Sequence, residues 1–128
     1  MKITLCCSYK FFDRISKVKG FLENKGHKVN LPSMNSFDGE GEQSEIKIKF
    51  DLIKDHFRKI DKSDAILVLN YDKGNIKNYI GGNSFLEIGK AYDKGIPIYL
   101  LNPVPEVSFK DEIVAMQPII IDGDLDKI

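Results

Sequence analysis

The sequence predicts an α/β fold: a single domain over residues 1–128, built as a three-layer, doubly wound parallel sheet of about five strands in the flavodoxin or Rossmann manner. Three observations carry this. Residues 3–7, 96–101 and, between Asp64 and Asn70, residues 65–69 are apolar at largely consecutive rather than alternate positions, as strands buried on both faces are. Stretches with helical apolar spacing stand between these runs, so strands and helices alternate. The connections are short, and short strand–helix–strand connections close as right-handed parallel crossovers.

Taken in order, Ile3-Thr4-Leu5-Cys6-Cys7 forms the first strand. Asp13 stands where it can cap a helix whose apolar positions Ile15, Val18 and Leu22 recur at helical spacing, and Gly26 ends that helix as a left-handed C-cap. Residues 27–32 read as a short second strand. Residues 33–43, broken by glycine and serine and carrying Asp38, Glu40 and Glu42, read as a long loop. Ile46, Phe50, Ile53, Phe57 and Ile60 then mark a long amphipathic helix. Ile48 and Leu52 add a second apolar stripe to it, which calls for a further partner such as another copy of the chain. Residues 64–70 give the strongest strand signal, residues 71–80 are polar and turn-rich, and Gly81-Gly82-Asn83 marks a sharp turn. Asn83 or Ser84 is the expected cap of a helix running through Phe85, Ile88 and Tyr92 to Gly95. A strand over 96–101, a short helix over 111–116 and a last strand over 119–121 complete the domain.

Bulk properties exclude several classes. Hydrophobic residues make up 42% and charged residues 30%, which is globular rather than disordered composition. Nineteen basic and nineteen acidic residues cancel, so no net field draws the chain to nucleic acid or to a membrane. Only Arg14 and Arg58 offer the planar fork suited to phosphates and guanines. Cys6 and Cys7 are adjacent and stand alone, a pattern that fits neither a disulfide nor a zinc or redox CxxC motif but does fit a reducing compartment. The N-terminal apolar run is too short for a signal peptide or a membrane span, so a cytoplasmic protein is expected.

In such sheets the ligand sits beyond the carboxyl ends of the strands, where strand order reverses. Residues 8–12, 70–72 and 81–87 share that rim, with Ser8, Tyr9, Phe11, Asn70 and Asp72 as candidate contacts. Gly81 and Gly82 permit close backbone approach, and with Asn83 and Ser84 they open a helix whose free N–H groups suit an anion or a hydroxyl-rich ligand. Glu87 falls one turn into that helix. Two readings are open for it: a carboxylate nucleophile, or the glutamate of a capping box reaching back to the backbone of Ser84. Asp64, by its spacing, is a helix-to-strand turn residue. His27 follows a helix-ending glycine and His56 stands alone on a long helix, so neither has a neighbouring ligand set. Asp38, Glu40 and Glu42 lack EF-hand spacing, and no phosphate loop, GxGxxG or GxSxG occurs, so no metal and no cofactor is expected.

The run Tyr79-Ile80-Gly81-Gly82-Asn83-Ser84-Phe85-Leu86-Glu87-Ile88-Gly89-Lys90-Ala91-Tyr92, followed by Gly95-Ile96-Pro97-Ile98-Tyr99, resembles the nucleoside 2-deoxyribosyltransferase-like superfamily. There a small-residue turn leads into a helix bearing E-[LIM]-G-x-A. The strand Ser63-Asp64-Ala65-Ile66-Leu67-Val68 and the opening Ile3-Thr4-Leu5-Cys6-Cys7-Ser8-Tyr9-Lys10-Phe11 are similar to that family's counterparts, in the same order. The resemblance implies that Glu87 is a nucleophile attacking C1′ of a nucleoside or nucleotide, with Asp64 an acidic residue that manages the proton of the base. It implies an N-glycosidase or (deoxy)ribosyltransferase of nucleotide metabolism, working through a covalent glycosyl-enzyme as a retaining glycosidase does. A homodimer is expected, with a small-molecule nucleoside or nucleotide as partner and neither nucleic-acid polymer nor membrane. Cys7 stands where the family's opening carries glycine, Gly81 where several members carry Asp or Ser, Asn83 where glycine is common, and Val114 where some members carry a serine that reaches a neighbouring subunit. The alternative reading is a non-catalytic nucleotide- or nucleoside-binding module on the same fold.

Overall fold

The computed structural model describes residues 1–33, the backbone of 42–50, and residues 51–128 in full. The expected loop acids Asp38 and Glu40 and the side chains of Glu42, Ile46, Ile48 and Phe50 lie outside the described residues. Five strands, β1 (Lys2–Cys6), β2 (Lys28–Asn30), β3 (Ala65–Val68), β4 (Ile98–Leu100) and β5 (Ile119–Ile120), form one sheet in the order β2-β1-β3-β4-β5. Every neighbouring pair is parallel. Four helices connect them: α1 (Phe12–Asn24), α2 (Glu42–Asp61), α3 (Gly82–Lys94) and α4 (Lys110–Ala115). This is the predicted doubly wound architecture, and its order reverses between β1 and β3.

The two faces of the sheet follow from side-chain alternation along buried strands. Ile3 and Leu5 of β1, with Leu67 and Leu69, pack on Ile15, Val18 and Leu22 of α1. Cys6, Ile66, Val68, Ile98 and Leu100 face the other way, onto Ile60, Ile88, Ala91 and Ile113 of α2, α3 and α4. Thr4 shares the parity of Cys6, and its hydroxyl meets that of Ser63 at 2.6 Å, while Ser63 donates to the Lys59 carbonyl at 2.7 Å. That face of β1 is therefore buried yet partly polar, and Cys6 ends it at the switch point.

Helix boundaries depart from expectation at two places. Asp13 does not cap α1: the helix begins at Phe12 behind a single 3₁₀ turn (Tyr9–Phe11), and it is Ser8 that caps that turn, accepting from the Lys10 N–H. Gly26 follows the helix with φ +94°, the left-handed geometry expected there. Nor does Asn83 or Ser84 cap α3. The N-cap is Gly81, extended at φ −86° and ψ 178°, with no side-chain cap bond. Ser84 is thus inside the helix, and Glu87 lies in its second turn, out of reach of a capping-box role. Gly95 closes α3 at φ +82° as expected. Among the described residues, no helix is long and apolar enough to cross a membrane.

Candidate active site

Strand order and helix placement bring three side chains together beside the switch point. Cys6 ends β1, His56 projects from α2, and Glu87 projects from α3 one turn below Ser84 on the same face. Cys6 is 0% and His56 3% exposed. The Cys6 Sγ lies 3.5 Å from His56 Nε2, and Glu87 Oε2 lies 3.6 Å from the same nitrogen. The Glu87 side chain is 13% exposed, and its buried Oε2 has no hydrogen-bond partner among the described residues.

Burial sets the electrostatics of this cluster. It pushes the Glu87 carboxyl up to about 7, with hydrogen bonding from Cys6 pulling the other way. It pushes His56 down to about 4, helped by the positive Lys59 and opposed by Asp55. His56 is therefore neutral at pH 7, and its contact with Glu87 is not an ion pair despite the distance. The Cys6 thiol is raised well above its usual range by burial and then by the Glu87 charge. Cys7 is raised to about 12 by the same two causes. Neither thiol is a nucleophile at neutral pH.

The donor atoms of Cys6, His56 and Glu87 all lie within 4.8 Å of one another, close enough to ask whether they hold a metal. The Ser33 backbone N–H donates to His56 Nδ1 at 3.3 Å. A neutral imidazole accepting at Nδ1 carries its hydrogen on Nε2, so the nitrogen facing the cluster presents a proton rather than a lone pair. The set does not fit a resident cation.

At the rim is a cavity of about 130 Å³, lined by the chain neighbours of this cluster but not by Cys6, His56 or Glu87 themselves. The N-terminal turn of α3, Gly81 to Ser84, forms one wall, and Cys7, Ser8 and Tyr9 form the other. Tyr79 closes it. A Cβ at residue 81 would lie 2.9 Å from the Tyr79 hydroxyl, so that hydroxyl fills the space that a side chain at 81 would take. The segment before Tyr79 is tied down: Asp72 Oδ1 accepts from the Asn78 N–H at 2.9 Å, Tyr79 N–H donates to the Tyr71 carbonyl at 2.9 Å, and Lys73 stands over the Tyr79 ring.

Of the residues expected at the rim, Ser8, Tyr9, Gly81, Gly82, Asn83 and Ser84 line this one cavity. The others do different things. Phe11 is buried, edge-on to Tyr71 with centroids 5.4 Å apart. Asn70 is fully buried and its amide is spent clamping the end of β4: Nδ2 donates to the carbonyls of Asn102 and Pro103, and Oδ1 accepts from the Asn102 N–H. Asp72 is exposed and pins the loop described above. Asp64 stands at the amino end of β3, accepting from the Lys2 N–H at 2.8 Å, with the whole strand between it and the rim. Cys6 and His56 were not foreseen as partners of Glu87.

No family model and no curated protein matches the chain. Solved structures do. A 2-deoxyribosyltransferase from Bacillus psychrosaccharolyticus superposes with a TM-score of 0.59 at 21% identity, over 84% of this chain and 76% of that one. A CMP N-glycosidase from Clostridium botulinum gives a TM-score of 0.58 at 18% identity, over 95% and 90%. A conserved protein from Enterococcus faecalis V583 gives 0.60 at 16%, over 94% and 90%. The chain thus has the nucleoside 2-deoxyribosyltransferase-like fold.

Proposed function

We propose that this protein cleaves the N-glycosidic bond of a nucleoside or nucleotide, with Glu87 as the nucleophile. The observation that carries the reading is the Glu87 carboxylate, free of any capping role, desolvated, and holding an unpartnered oxygen one helical turn below the glycine-rich end of α3. A carboxylate in this state has a lone pair to offer C1′, where positive charge develops as the base departs. The C1′–N bond breaks as the ester bond to Glu87 forms, and the base leaves with the bonding pair. Water or a second base then displaces Glu87 and restores the free carboxylate. Two of the proteins sharing the fold act on N-glycosidic bonds of this kind, one of them in a nucleotide.

The cavity supplies the sugar subsite. Helix α3 presents uncapped N–H groups there, and Gly81 and Gly82 let a 5′-hydroxyl or 5′-phosphate approach the backbone. Asn83, Ser84 and Ser8 add polar contacts, and Tyr9, 70% exposed at the mouth, offers a ring to the base. In this reading Asn70, Asp72 and Asp64 are supports that hold the rim and the sheet edge, and Phe11 packs beneath. The working unit is a cytoplasmic homodimer, consistent with the exposed apolar residues Val114, Ile119 and Ile120; a monomer in light scattering at micromolar concentration would contradict it.

The test is a panel of nucleosides and 5′-nucleotides followed for base release. One member or more should be cleaved, and the rate should rise with pH through about 7, because the protonated Glu87 cannot attack. Ligand-induced thermal shifts without any base release would instead support the binding-module alternative.

A further inference from the structure

The cluster at the switch point has a direction. The Ser33 N–H can only donate, and it donates to His56 Nδ1. Ser33 is itself held, its hydroxyl donating to Asp55, one residue before His56. The neutral ring then carries its single hydrogen on Nε2, 3.5 Å from Cys6 Sγ. That hydrogen faces the sulfur and also Glu87 Oε2, 3.6 Å from the same nitrogen. The sulfur's own hydrogen turns to the Glu87 carboxylate, whose oxygen accepts from the thiol and lies within 4.8 Å of it. Burial keeps Cys6 a thiol, so it retains a hydrogen to give.

We infer that Ser33 N–H, His56 and Cys6 form a one-way hydrogen-bond chain ending on Glu87, and that His56 and Cys6 are positioning residues for its carboxylate. The inference rests on Glu87 being the reactive group, while the chain itself rests on the Ser33 donor, the neutral ring and the protonated thiol. It explains why a thiol and an imidazole, both buried and neither reactive at neutral pH, face a carboxylate. A long, weak S–H donor fixes the orientation of the carboxylate without tying up its lone pairs as a hydroxyl or an arginine does. The buried Oε2 stays unpartnered. Among the described residues, the titratable groups facing Glu87 are Cys6 and Cys7 from the end of β1 and His56 from α2. Lys90, on its own helix, is paired to Asp61 at 3.0 Å.

Two measurements without substrate test the chain itself. The S–H stretching band of Cys6, identified by its loss in Cys6→Ser, should shift as pH crosses the Glu87 midpoint, and that shift should vanish in Glu87→Gln. Nitrogen NMR of the ring should show His56 as the Nε2–H tautomer from pH 6 to 8. A pH-independent band, or the Nδ1–H tautomer, overturns the inference. Kinetics then test the role. Cys6→Ala and His56→Leu should lower kcat about 10- to 100-fold with KM within about twofold, and should move the acid limb to higher pH because the anion has lost a donor. Cys6→Ser, whose hydroxyl is a stronger donor, should return the acid limb to wild-type pH or below while recovering kcat only in part. Unchanged kcat and an unchanged limb in folded Cys6→Ala overturn the positioning role. If the band and the tautomer behave as expected while wild type releases no base, the chain stands and the glycosidase reading falls.

Discussion

Glu87→Gln is expected to abolish base release by several orders of magnitude while leaving ligand binding nearly intact. Glutamine keeps the volume of the side chain but has no anionic oxygen to form the ester with C1′. The sugar subsite is built from the N-terminal turn of α3 and from Ser8, none of which the substitution touches. A comparison of kcat with the dissociation constant of the same nucleotide separates the two effects. A variant of comparable kcat would remove Glu87 from the reaction.

The same substitution should make the protein more stable at alkaline pH. A carboxyl that titrates near 4.5 when unfolded and near 7 when folded binds its proton more tightly in the native state. Its stabilising contribution is complete below pH 4.5 and is lost as pH rises to 7, where the buried anion comes to cost about 3 kcal/mol. Glutamine never ionises. Glu87→Gln should therefore match wild type near pH 4.5 and exceed it by about 2–3 kcal/mol at pH 8, read from urea denaturation at the two pH values. Wild-type His56 works in the opposite sense: lowered to about 4, it favours the folded state above 6.5 and loses that advantage as pH falls toward 4. Its contribution is common to both proteins and cancels in the difference. A site that gains activity at the expense of stability is what a functional carboxylate predicts; a capping glutamate would lose up to about 1 kcal/mol on substitution, or nothing.

The centre of the sheet was legible in the sequence because β1, β3 and β4 are buried on both faces and are therefore mostly apolar, whereas β2 and β5 at the edges are partly or largely exposed. Consecutive apolar residues in 3–7, 65–69 and 96–101 admit few other readings. The start of α3 was misread for a local reason. Glycines at 81 and 82 read as a turn, yet Gly81 serves as the cap in an extended conformation, and the helix begins before the residues with better capping side chains. Moving the start inward hides the fact that Glu87 sits in the second turn. His56 was missed for a different reason. Positions 53, 56, 57 and 60 share one helical face, so burial of His56 was readable from periodicity. What it meets across that face depends on where β1 ends beside α3, and a single chain of letters does not state that pairing. Asn70 shows the same limit in reverse. A polar residue at the end of β3 suggested a ligand contact, whereas its partners come from the end of β4, more than thirty positions on in the chain.

The most direct test of Glu87 as the nucleophile is the intact mass of the protein quenched during turnover of a cleaved nucleoside or nucleotide, with peptide mapping of any increment. The predicted result is a transient gain equal to the pentosyl or phosphopentosyl group, carried by Glu87 and absent in Glu87→Gln. Base release at full rate with no adduct, or with the adduct on another residue, would contradict it.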